Sequence, residues 1–236
     1  PPLCVACEKE IDEGLLCGDC YDRIVMVTPP ICEICGRPSK ERKICEICMR
    51  MEPVFDRLRA WALFVPPIDK IIHAFKYEKK PSLSKPIGRS MARILEGDPL
   101  LNSAQYLVPV PLYKGRQRDR GYNQSEILAG VIKHETDKEI LNCLIRTKNT
   151  LTQTKLTDAE RWTNVSGAFK LLNDLSVEDK SVILVDDVLT TGATLNECAW
   201  VLKQAGAKKI FGLVSAIAPT RSSSGHCPRT SPFTSQ

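Results

Sequence analysis

Two adjacent carboxylates, Asp186 and Asp187, close the apolar run Val182-Ile183-Leu184-Val185, and after Val188 and Leu189 the chain reads Thr190-Thr191-Gly192-Ala193-Thr194. The run predicts a buried strand, and the segment after it a loop that opens a helix. Such a loop can hold phosphate, because backbone N–H groups converge at the helix N-terminus and threonine hydroxyls add donors. Gly192 permits close approach, since it has no Cβ to stand in the way. In open parallel sheets ligands sit at the carboxyl ends of strands, where this motif falls. Carboxylates beside a phosphate cradle need partners other than the phosphate: sugar hydroxyls, Mg²⁺, or both. An ordinary strand–turn–helix connection needs none of these residue types together.

The second chemical signal is sulfur. Of eleven cysteines, eight precede residue 50 as four Cys-x-x-Cys pairs: Cys4/Cys7, Cys17/Cys20, Cys32/Cys35 and Cys45/Cys48. Each pair of the first half recurs 28 residues later, which predicts two copies of one small ribbon. Two thiolates on one tight turn reach the same tetrahedral Zn²⁺, and a second turn supplies the other two. About two structural zinc ions are therefore expected, and metal binding would supply most of the folding free energy of segments with so little apolar core. Disulfides suit a secreted chain, and a redox motif would not recur four times at matched spacing. Iron–sulfur ligation stays open, because spacing alone does not fix the metal. The repeat favours pairing 4/7 with 17/20 and 32/35 with 45/48, with a crossed arrangement as the alternative. Cys143, Cys198 and Cys227 lack partners of this kind and read as inert thiols.

These motifs need a scaffold. The 236 residues, 43% hydrophobic and 26% charged, suit one globular core with an accessory module. No stretch approaches the ~20 apolar residues of a membrane helix, so no membrane insertion is expected. The start, at Pro1 rather than Met, reads as a trimmed or partial chain. It shows no signal peptide, so a cytoplasmic location is expected. The formal charge of +5 falls to about +1 if eight thiolates hold two zinc ions. Between Lys40 and Arg89, twelve Lys/Arg face six Asp/Glu, a basic stretch that suits either solvent or nucleic acid.

Periodicity then places the elements. Arg50 to Asp56 reads as a linker, while Ile68–Tyr77 and Pro81–Leu95 read as amphipathic helices, the first carrying a lone His73. Tyr106–Val110 reads as a strand, Tyr113–Gly121 as a polar basic segment, Asn123–Lys133 as a helix and Ile140–Ile145 as a strand. Thr147–Asn164 is aperiodic, a long loop of the kind that usually has a function. Ser181–Asp186 is a strand, Thr194–Gln204 a helix and Lys209–Ala218 a last strand. Alternating strands and helices predict an α/β fold with a parallel sheet. Thr220 to Gln236, rich in Ser, Thr and Pro, reads as disordered or foreign to the fold.

The full pattern Val182–Thr194 resembles the PRPP-binding signature of type I phosphoribosyltransferases (PRPP is 5-phosphoribosyl-1-pyrophosphate). Val108-Pro109-Val110-Pro111-Leu112, Arg118, Arg120-Gly121-Tyr122-Asn123-Gln124, Gln153, Leu156, Arg161, Asn164 and Gly167-Ala168-Phe169 are similar to the ComF family, as are the four Cys-x-x-Cys pairs ahead of them. The resemblance implies a type I phosphoribosyltransferase-like parallel sheet with helices on both faces, behind a small double zinc-ribbon module. It divides the chain into residues 1–50 (ribbons), 51–219 (phosphoribosyltransferase-like, with a hood at about 54–105) and 220–236 (tail). It implies that Asp186 and Asp187, the catalytic pair, contact ribose hydroxyls, and that Thr190, Thr191, Gly192, Ala193 and Thr194 hold the 5-phosphate. Pro111, Lys114 and Arg116 would form the pyrophosphate loop, and Arg161 would reach in from a flexible loop, with Mg²⁺ accompanying PRPP. Arg118 and Arg120 read equally as PRPP contacts or as solvated or DNA-facing charges. ComF-like proteins act in DNA uptake and natural transformation, which implies single-stranded DNA and a helicase as partners. Two functions follow: transfer of phosphoribose to an acceptor the sequence does not identify, or a non-catalytic module that senses PRPP or binds DNA and helicase.

Overall fold

The computed structural model describes residues 1–39, 43–150, 157–172 and 175–219. Gln153, Leu156, Lys40 and the tail with Cys227 lie outside the described residues. Two short helices, α1 (Gly18–Asp22) and α2 (Glu46–Met51), belong to the cysteine module. Strand β1 (Arg57–Leu63), helix α3 (Ile68–Tyr77), a 3-10 turn (Pro81–Leu83), α4 (Ser84–Gly97) and the one-turn α5 (Pro99–Asn102) follow. Next come β2 (Tyr106–Pro109), α6 (Lys114–Arg120), α7 (Gln124–Glu135), β3 (Glu139–Ile140) and β4 (Leu144–Arg146). The chain continues through α8 (Asp158–Val165), β5 (Phe169–Leu171), β6 (Ser181–Leu189), α9 (Ala193–Gln204) and β7 (Lys209–Ile217).

Five strands form one sheet in the order β1-β7-β6-β2-β3, every pair parallel. The central strand β6 is apolar on both faces because both are covered. Ile183 and Val185 face α3, α4 and α7 through Phe75, Met91 and Leu128. Val182 and Leu184 face α9 and the β4–β5 pair through Leu195, Leu202 and Phe169. Helix α3 buries Ile68, Ile71, Ile72 and Phe75 at three- and four-residue spacing. Phe75→Ala would cost about 3–5 kcal/mol and loosen the helix that carries Lys76. No helix among the described residues is long and apolar enough to cross a membrane.

Four local readings change. The first part of the span read as hood contains β1, an outer strand of the main sheet. Its Arg57 and Arg59 disguise it, but Asp98 pairs with both, at 3.2 and 2.7 Å, and lets Arg59 sit 9% exposed. The strand read at Ile140–Ile145 divides: β3 stays in the main sheet, while β4 pairs antiparallel with β5. The basic segment after Tyr113 contains helix α6, ended by Gly121 at φ 90°. The described end of the loop read at Thr147–Asn164 contains α8, opened by a capping box in which Thr157 and Glu160 bond each other's backbone N–H.

The cysteine module covers the β1 edge, which would otherwise offer unpaired backbone groups. Val27 N–H donates to Trp61 O (2.9 Å), Leu63 N–H to Val25 O (2.8 Å) and Leu58 N–H to Ile34 O (2.6 Å). The first ribbon packs into the core on the α3 and α4 face, the second into the core on the α9 face.

Candidate binding cleft and metal clusters

Strand β6 runs past Val185 to Leu189 and brings Asp186 and Asp187 to the floor of a cleft beside the first turn of α9. Asp187 is 5% exposed and has a partner on each oxygen: Lys76 Nζ lies 2.7 Å from Oδ1, and Gln124 Nε2 donates to Oδ2 at 2.8 Å. Both hydrogen bonds to Asp186, from Ser125 Oγ (3.1 Å) and the Asp187 N–H (2.9 Å), fall on Oδ1. Among the described residues, Asp186 is thus the carboxylate with an oxygen to offer. Burial, and then the neighbouring Asp187 charge, push its carboxyl up to about 7 against the pull of Lys76. For Lys76 burial works downward, yet the Asp187 charge holds its ammonium above the usual lysine value.

The loop after β6 turns at Gly192, φ 89°, and leads straight into α9. Thr191 Oγ1 accepts from the Ala193 N–H at 3.4 Å, and the Gly192 carbonyl from the Asn196 N–H at 2.9 Å. Thr190, Gly192, Ala193 and Thr194 line the cleft, whereas Thr191 lies against the second ribbon. Of the other residues picked from the sequence, Pro111, Arg116 and Arg161 line the cleft. Lys114 does not; it sits exposed at the start of α6.

Cations share the cleft with the acids. Arg116, Arg120, Arg146 and Arg161 share the cleft lining. Arg116 donates to the Thr150 carbonyl, and Arg146 to the Thr150 hydroxyl. The Arg146 guanidinium also lies over the Phe169 ring, 5.2 Å from its centroid. Burial, and then the facing Arg116 charge, lower the pKa of Arg146, and its Nε is buried with no partner among the described residues. Two like charges held this close in a cleft make a receptor for an anion.

Sequence reasoning missed Lys76, Ser125 and Arg146. Lys76 looked like one solvated charge among twelve, because its pairing with Asp187 spans more than a hundred residues. Gln124 was noted only within a motif. Its amide holds Asp187, while its Oε1 is buried and unpartnered among the described residues.

The cysteines converge as the repeat favours: Cys4, Cys7, Cys17 and Cys20 form one group and Cys32, Cys35, Cys45 and Cys48 the other, with all sulfurs of a group within 4.8 Å. A tetrahedral site with Zn–S bonds of about 2.3 Å places sulfurs about 3.8 Å apart. Cys7 and Cys17 lie at 3.8 Å and Cys35 and Cys45 at 3.6 Å, so the donor set fits zinc. The hydrogen bonds repeat too: Cys17 N–H donates to Cys4 Sγ (3.5 Å) and Cys45 N–H to Cys32 Sγ (3.4 Å). Such bonds disperse thiolate charge on a closed, four-sulfur site.

Comparison with known proteins agrees with this architecture. The double zinc ribbon domain family matches residues 1–49, and the phosphoribosyl transferase domain family matches residues 133–227. The molecule is thus a phosphoribosyltransferase-like α/β protein with an N-terminal zinc-ribbon module. It is 30% identical to competence protein F of Haemophilus influenzae over 91% of this chain and 90% of that one. It is 30% identical to the DNA utilization protein YhgH of Escherichia coli K12, over 89% of this chain and 94% of the relative, and 28% identical to competence protein ComFC of Bacillus subtilis, over 86% and 90%. The chain belongs to the ComF family.

Proposed function

We propose that the cleft binds PRPP with Mg²⁺ and transfers its phosphoribosyl group to an acceptor, in the service of DNA uptake. The observation that supports the reading is one cleft lined by Asp186 and Asp187, by Thr190, Gly192, Ala193 and Thr194, and by Arg116, Arg146 and Arg161. Phosphate would sit on the loop, where N–H groups at the start of α9 and the Thr190 and Thr194 hydroxyls offer donors. Ribose hydroxyls would donate to the carboxylates. The pyrophosphate would extend toward Arg116, Arg146 and Arg161. In the reaction the C1–O bond to pyrophosphate breaks as the acceptor's nucleophile bonds to C1, and the arginines offset the charge that builds on the leaving oxygens. Bound with the substrate, Mg²⁺ would share that charge, and Asp186, with its remaining oxygen, suits a cation that keeps most of its other ligands from water and phosphate. The names of the relatives support the DNA-uptake setting.

A second reading, a binding module without turnover, is favoured at the mouth of the cleft. There the exposed Tyr77 ring carries the Arg120 guanidinium 5.0 Å from its centroid, a pairing that suits the bases and phosphates of single strands.

Calorimetry with PRPP and Mg²⁺, beside a gel shift with single-stranded DNA, separates the readings. Asp186→Asn with Asp187→Asn keeps shape but removes both charges and half of the acceptor oxygens. PRPP affinity should fall at least about tenfold, given ~1.5–3 kcal/mol for each charge-assisted bond lost. Unchanged PRPP affinity sinks the proposed site. Lost PRPP binding with transformation intact favours the binding module.

A further inference from the structure

The second zinc ribbon forms the outer wall of the loop that follows β6. Arg37, two residues beyond Cys35, is 4% exposed and donates from Nη2 to the Thr190 carbonyl. Cys35, Arg37 and Cys48 line one narrow cleft together with Thr191, Gly192 and Asn196. A second tie runs from the ribbon's exit, where the Val54 N–H donates to Asn196 Oδ1 at 2.7 Å in the first turn of α9.

We propose that Arg37 is a positioning residue for the Thr190–Thr194 loop and that the second ribbon, unlike the first, sets the loop's shape. The inference rests on reading that loop as the phosphate cradle. A trans peptide directs its N–H opposite its C=O. Holding the Thr190 carbonyl toward the ribbon therefore aims the Thr191 N–H away from it. Arg37 is anchored for this task. Its own carbonyl accepts the Cys32 N–H (2.7 Å), so the zinc knuckle fixes the backbone from which the guanidinium reaches. The knuckle is in turn fixed to β1: the Ile34 carbonyl accepts the Leu58 N–H at 2.6 Å and the Glu33 carbonyl accepts from Arg59 Nη1 at 3.2 Å. The ribbon thus transmits the rigidity of the sheet edge to the start of the loop, ahead of the Gly192 turn that the Asn196 N–H holds.

The first ribbon supplies the control. Lys9 occupies the place of Arg37, its carbonyl accepting the Cys4 N–H at 2.9 Å, but its side chain is exposed. Arg37→Gln, Arg37→Lys and Lys9→Gln would be compared with the unaltered protein. The readouts are zinc content, melting temperature, hydrogen exchange of the amides of residues 190–194, and calorimetry with PRPP and Mg²⁺. In Arg37→Gln, zinc stays at about two, loop amides exchange severalfold faster and PRPP binds about tenfold more weakly, as the loss of one charge-assisted bond implies. Arg37→Lys, which keeps a charged donor, recovers part of both effects, and Lys9→Gln moves neither. Unchanged loop exchange in Arg37→Gln overturns the proposal whatever PRPP does. If that variant loses zinc, the lysine variant decides: with zinc at about two, its loop exchange must lie above that of the unaltered protein, and equality overturns the proposal. Failure of the unaltered protein to bind PRPP would instead overturn the functional reading, with the exchange experiment still deciding the role of Arg37.

Discussion

In the first ribbon the knuckle turn passes through Glu8 at φ 62°, and in the second through Gly36 at φ 70°. The backbone geometry is shared, so the glycine has a further reason. A Cβ on Gly36 would meet the Leu58 carbonyl oxygen at 2.8 Å, because the second knuckle lies directly on the β1 backbone. Lys9 and Arg37 differ in the same sense, one exposed and the other buried against Thr190. The internal repeat therefore preserves the metal chemistry, while residues between the ligands adapt each copy to its neighbour. The first ribbon covers the face of α3 and α4, and the second backs the loop that borders the cleft.

The contrast breaks most visibly at the ligands. Cys17→Ser and Cys45→Ser occupy equivalent positions and should each release one zinc ion. Structural zinc contributes on the order of 10 kcal/mol to small domains, so either ribbon unravels locally. Only Cys45→Ser is expected to expose amides of α9 and the preceding loop to exchange. Cys17→Ser should leave them protected. Equal loss of protection at α9 in both variants would show that the ribbons are equivalent supports.

A smaller effect comes from the turn residue. Gly36→Val places a β-branched side chain at positive φ against backbone and should cost about 2–4 kcal/mol. Glu8→Gly relieves a left-handed residue with open surroundings and should change stability by less than about 1 kcal/mol. Chemical denaturation of both variants measures the difference. Similar values would mean that Gly36 is retained for φ alone.

Linkage gives a third contrast. If the second ribbon shapes the cradle, ligand must stabilise that ribbon to the same degree. Saturating PRPP and Mg²⁺ should slow chelator-driven zinc release about tenfold for the second ion and leave the first unchanged. Release of both ions at ligand-independent rates removes the coupling.

Much of this architecture is legible in the sequence, for local reasons. Cysteine spacing specifies both clusters because each knuckle closes over four residues, and the Asp-Asp and Thr-Thr-Gly-Ala-Thr run specifies the floor of the cleft because strand, loop and helix are contiguous. What escapes depends on distance. β1 hides behind two arginines that both pair with Asp98, some forty residues away. Lys76, Arg146 and Arg37 look like surface charges until the fold carries them to Asp187, Arg116 and Thr190. The break after Ile140 escapes because an apolar run does not reveal which sheet each of its halves will join.

The last contrast separates the cleft's own electrostatics from the support of the second ribbon. Asp186 holds its proton up to about pH 7, against an ordinary carboxylate value of 3.8, because of burial and then the Asp187 charge. Between about pH 4 and 7 the native chain therefore keeps a proton that the unfolded chain has released. Stability should decline as pH rises through that window and level off above it. Asp186→Asn removes the titration and should flatten the curve. Ligand affinity should run the other way, since hydroxyls and Mg²⁺ favour the ionised carboxylate. With only the ionised fraction competent, PRPP should bind about tenfold more tightly at pH 8 than at pH 6. Zinc content should stay at about two across this range, because the change arises at Asp186 and not in the thiolates. Calorimetry in buffers of different ionisation enthalpy counts the proton released on binding near pH 6.5. No proton released, or an affinity change that tracks zinc loss, would shift the origin of the pH dependence from the carboxylate to the ribbon beside it.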